Sequence, residues 1–151
     1  MRLHNFDISS SIEFQSGGLF WDIHNFANFD GLELIRTENA AVIRWSVPVA
    51  SNPWGCYENK FAGMELHFEN LVFLHVGPRD EEMPMTEDSC VSAILMVNPT
   101  IEHDELYMRQ VLEMTSSFRL AFQFQSRRVI EIESEIVKLV PIRELHARAT
   151  S

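Results

Sequence analysis

Residues 118–139 read FRLAFQFQSRRVIEIESEIVKL. Phe118, Leu120, Phe122 and Phe124 alternate with Arg119, Ala121, Gln123 and Gln125. Ile130, Ile132 and Ile136 then alternate with Glu131, Glu133 and Glu135. Successive side chains of a strand point to opposite faces, so this period of two marks strands with one face buried. Two such runs around Ser126-Arg127-Arg128 predict a β-hairpin. A three-residue loop there sets Phe124 opposite Ile130, Phe122 opposite Ile132 and, on the outer face, Arg119 opposite Glu135. A two-residue loop would oppose Phe122 to Glu131, so the first register is expected. Beyond Ile136 the apolar phase moves to Val137 and Leu139, which predicts a bulge.

The same alternation recurs upstream. Residues 62–69 carry Met64, Leu66 and Phe68 on one face and Glu65, His67 and Glu69 on the other. With 72–76 they predict a second hairpin, turning at Glu69-Asn70-Leu71, pairing Phe68 with Val72 and Glu65 with His75. Residues 32–37 and 40–47 predict a third, turning at Glu38-Asn39, with Leu34 opposite Ile43, Leu32 opposite Trp45 and Glu33 opposite Arg44. Asn accepts the positive φ of such turns. Further strands are expected at 3–8 and 91–97. Residues 17–29 are rich in aromatics and fit a short helix, because Leu19, Ile23 and Phe26 share a helical face. The best helix is 100–114: Thr100 can cap it, its first turn is acidic, and Val111 and Met114 follow Tyr107 at helical spacing. Three hairpins and little helix predict a mainly β fold, an antiparallel β-sandwich or a barrel-like sheet, with one short helix near 100–114.

The 151 residues, 46% hydrophobic and 23% charged, are those of a folded domain. No linker or low-complexity run divides them, so 1–142 is read as a single β-rich domain and 143–151 as a flexible C-terminal tail. Twelve Lys and Arg stand against 22 Asp and Glu, a net charge of −10. A polyanion binder needs Lys and Arg for its phosphates, so neither nucleic acid nor an anionic membrane is an expected partner. The acidity is concentrated. Asp80, Glu81, Glu82, Glu87, Asp88, Glu102, Asp104 and Glu105 fall in a stretch, 80–105, that has no Lys or Arg. Cys56 and Cys90 are too few for a disulfide framework and are expected as free thiols. The start, Met1-Arg2-Leu3-His4-Asn5-Phe6-Asp7, has no apolar secretory core, and no uncharged stretch reaches the roughly 17–25 residues of a membrane span. A cytoplasmic location is expected.

No motif names a reaction: no Gly-rich phosphate loop, no H-E-x-x-H, no G-x-S-x-G and no zinc-type Cys pair is present. No catalytic residue, metal site or cofactor is therefore assigned. Among the six histidines, Asp22-Ile23-His24 can bring a carboxylate and an imidazole to one face. Glu65, His67 and His75 would meet on the second hairpin, and His103-Asp104-Glu105 adds oxygen ligands on a helical turn. Such groups can serve as acid–base pairs or metal ligands, but a structural ion pair is the simpler expectation for Glu65 and His75. Trp21, Trp54 and Tyr57 are candidates to line an apolar ligand pocket, with Trp54 in a long loop. Asp80, Glu81, Glu82, Met83, Met85, Glu87 and Asp88 are the candidate partner-binding residues. Pro84 argues against helix or central strand there, five acids without a local base repel one another, and two methionines offer adaptable apolar contact.

Residues 20–29 (FWDIHNFANF), 63–76 (GMELHFENLVFLHV) and the closing hairpin of 118–139 together resemble small uncharacterised bacterial β-rich families. Some of these are assigned as immunity proteins of polymorphic toxin systems. Many immunity-type sequences carry His-Asp where this chain has His24-Asn25, and no functional residue is carried over. Taken with the concentrated acidity of 80–105, the first reading is a non-catalytic protein-binding module of immunity type, an acidic inhibitor of a basic protein. The alternatives are a small-ligand binding or assembly domain, in which the chain could also form a homo-oligomer, and a small hydrolase or isomerase with a His/carboxylate site.

Overall fold

The computed structural model describes residues 1–47, 61–97 and 118–143. The strands are β1 (Arg2–Leu3), β2 (Asp7–Ser10), β3 (Glu13–Ser16), β4 (Leu19–Asp22), β5 (Asn28–Ile35), β6 (Ala40–Ser46), β7 (Phe61–Val76), β8 (Val91–Val97), β9 (Arg119–Phe124) and β10 (Val129–Arg143). The mainly β reading holds: one antiparallel sheet, ordered β5-β6-β7-β10-β9-β8, curls strongly into a half-barrel. β1 joins it in parallel on β10, and β2-β3-β4 form a separate three-stranded sheet. The helix expected at 100–114, the loop with Trp54 and Tyr57, and the tail beyond Arg143 lie outside the described residues. Arg143 itself closes β10.

The core fills the space between the curled sheet and the small one. Phe6, Phe14, Trp21 and Ile23 from the N-terminal region join Trp45, Met64, Leu66, Leu120, Phe122, Ile132 and Leu139 in one buried cluster. Phe14 stands edge-on to Phe6 and to Trp45, and Trp45 also meets Phe122. Aromatic side chains each bury roughly 150–250 Å², so these contacts contribute to the attachment between the sheets. The curl brings Phe29 of β5 to 4.8 Å from Phe124 of β9, strands far apart in the sheet order. Asn5 extends the main sheet by mimicry. Its side-chain amide donates to the Leu139 carbonyl and accepts from the Leu139 N–H, as a strand backbone would.

Several expected pairings are corrected. β7 is one continuous 16-residue strand, not a hairpin. Asn70 sits at φ 57, and the pairing with β10 shifts between Glu133 and Ser134, so the phase break at 69–71 is a kink and bulge rather than a turn. Glu65 consequently lies beside Arg44, and His75 opposite Glu131, far along the strand. In the C-terminal hairpin Phe122 faces Ile130, two residues from the expected register. The three-residue turn falls one residue earlier, at Gln125-Ser126-Arg127: Phe124 N–H donates to the Arg128 carbonyl, and Arg127, at φ 65, donates its N–H to the Phe124 carbonyl. Arg119 then pairs with Glu133 and Glu131 rather than Glu135, and its guanidinium lies over the Phe73 ring.

The third hairpin is displaced likewise. Leu32 faces Ile43 and Leu34 faces Ala41, because a 3-10 turn at Arg36–Glu38 precedes Asn39 at φ 49. A bulge between Phe29 and Gly31 takes φ 153 at Gly31, a conformation open only to glycine. The bulge expected past Ile136 falls slightly earlier. The buried set runs Ile130, Ile132, Ser134 and then Val137, Leu139, leaving Ile136 half-buried. Residues 3–8 divide between β1 and β2, and residues 17–29 hold strand β4 rather than a helix.

Candidate functional site

The acidic segment begins where β7 ends. Gly77 N–H donates to the Val129 carbonyl, and Asp80 N–H to the Ser126 carbonyl, so the chain runs along the β9–β10 turn. The Asp80 carboxylate accepts the Glu82 N–H, and Met83 N–H returns to the Asp80 carbonyl. Pro84 stays extended and opens a 3-10 turn, Met85–Ser89, whose end is tied by the Ser89 hydroxyl donating to the Thr86 carbonyl. The Cys90 carbonyl accepts from Gln125 N–H, and the chain enters β8.

Arg79 clamps this segment from inside. Its Nε lies 2.9 Å from both carboxylate oxygens of Asp88, and its Nη2 donates to the carbonyls of Met83 and Pro84. The Ser126 hydroxyl, the Arg79 guanidinium and the nearby charge of Arg128 hold the Asp88 carboxyl below its ordinary range. Asp80 meets Arg127 at 3.3 Å. The expectation of five acids without a local base is thus corrected. Arg79 lies one residue outside the acidic stretch, and Arg127 and Arg128 arrive from the neighbouring turn. Glu81, Glu82 and Glu87 remain with no ion pair among the described residues. Met85 projects beside them, 71% exposed, while Met83 is half-buried.

The other candidate residues separate. Trp21 is 1% exposed and packs edge-on against Phe61, a core position rather than the wall of an open pocket. Trp54 and Tyr57, like His103, Asp104 and Glu105, lie outside the described residues. Glu65 and His67 meet at 2.9 Å, and Glu65 also pairs with Arg44, which reaches Glu33 at 2.8 Å. Burial pushes the Glu65 carboxyl up, but hydrogen bonds from His67 and Arg44 more than offset it and leave the group below its ordinary value. Bonds to Glu33 and then Glu65 raise Arg44 in turn. His75 has no part in this network, so it is an ion-pair ladder across β5, β6 and β7. Among the described residues no group of three His, Cys, Asp or Glu side chains is placed to hold a metal ion. No helix among them is long and apolar enough to cross a membrane.

One juxtaposition has no local signal in the sequence. His24 Nδ1 lies 3.5 Å from Sγ of Cys90, across 66 residues, and 2.9 Å from the Val91 carbonyl. A carbonyl only accepts, so Nδ1 carries the hydrogen and donates it there. It is then not available to take the thiol proton. Burial, with the Glu87 charge, pushes the Cys90 thiol up, which keeps it protonated. The pair is therefore not an activated nucleophile. Asp22 is not the imidazole's carboxylate partner either. It accepts the backbone N–H groups of His24 and Asn25 and the Asn25 side-chain amide, and so builds the turn. Cys90 is a free thiol.

Compared with known protein families, curated proteins and solved structures, the chain matches none.

Proposed function

We propose that the chain is a non-catalytic protein-binding module of immunity type, acting in the cytoplasm as an acidic inhibitor of a basic protein. The observation that carries this reading is the clamped acidic segment. Arg79 fixes its backbone, while Glu81, Glu82 and Glu87 have no cationic partner among the described residues and Met85 stands exposed beside them. A preorganised loop loses less entropy on docking than a loose one. Unneutralised carboxylates on a chain of net charge −10 steer a basic surface toward it, and a methionine side chain adapts to an apolar notch. The enzymatic alternative is less well supported, since the His24–Cys90 contact holds a protonated thiol and the Glu65–His67 contact belongs to a ladder of ion pairs. The ligand-pocket alternative loses Trp21 to the core.

The test compares the wild-type chain with the Glu81→Gln/Glu82→Gln/Glu87→Gln variant as bait in extracts of the native host. Asp88 is left intact because it holds the loop. The reading expects a basic protein retained by the wild type and depleted on the variant. Equal recovery on both baits, or recovery of no basic protein, would overturn it.

A further inference from the structure

We draw no further inference here: the strongest candidate, the His24–Cys90 side-chain cluster between the turn after β4 and the start of β8, carries nothing because His24 Nδ1 is committed to the Val91 carbonyl and no third metal-ligating side chain joins the pair among the described residues.

Discussion

Asn70 shows how one residue bends a strand without ending it. Its φ of 57 lies in the left-handed region, which costs most L-residues about 1–2 kcal/mol but which Asn tolerates. Its side-chain amide also donates to Glu135 on β10. Asn70→Val should therefore destabilise the fold by about 1–2 kcal/mol in chemical denaturation, because a β-branched residue fits that region worst. Asn70→Gly should stay within about 0.5 kcal/mol of wild type, since glycine adopts positive φ freely. Equal losses in both variants would mean that the amide contact, not the backbone, is what matters. Asp88 makes a second prediction at this scale. Its carboxyl is lowered from the ordinary value of 3.8, so the folded state favours the charged form. The stabilisation is complete above the unfolded value and is lost as pH falls through the lower folded one. Asp88→Asn should lower the melting temperature at about pH 7 and narrow the difference between pH 7 and about pH 3. A variant whose melting temperature falls equally at both pH values would contradict the lowered carboxyl.

At the scale of elements, β6 and β7 approach closely at Gly63. A Cβ at Gly63 would collide with the Trp45 carbonyl, a backbone atom that cannot swing aside. Gly63→Ala should therefore cost about 1–3 kcal/mol, as overpacked sites do, and speed amide exchange along β6 and β7. Wild-type stability and exchange would refute that close approach. The same elements show which structure was legible in the sequence. Period-two alternation correctly told which side of β9 and β10 is buried: Leu120, Phe122, Ile130 and Ile132 all face the core. It did not fix the register, because sliding by two residues leaves every side chain on its own face. The left-handed Arg127 decides between the two, and nothing in Ser126-Arg127-Arg128 announces it. The phase break at Glu69-Asn70-Leu71 was visible, but a kink and a turn share the same local residues. Only the long partner β10 makes β7 run straight through. The acidic segment was legible as charge. Of its counterions, Arg79 stood next to it in the sequence, but Arg127, which reaches Asp80 from a distant turn, did not.

At the scale of the whole molecule, charge is unevenly spent. Arg44, Arg79, Arg119, Arg127 and Lys138 are all engaged with carboxylates on the sheet or its turns. Glu81, Glu82 and Glu87, by contrast, have no ion pair among the described residues. A partner drawn by those carboxylates should associate at a rate that falls with salt, because exposed charges are screened over about 8–10 Å at moderate ionic strength. The decisive measurement is the association rate of the captured basic protein with wild type and with Glu81→Gln/Glu82→Gln/Glu87→Gln, followed by stopped flow across a salt series. The wild-type rate should fall at least about tenfold from low to high salt, and the variant should start slower and change little. Identical rates and identical salt dependence for the two proteins would contradict docking through the acidic segment.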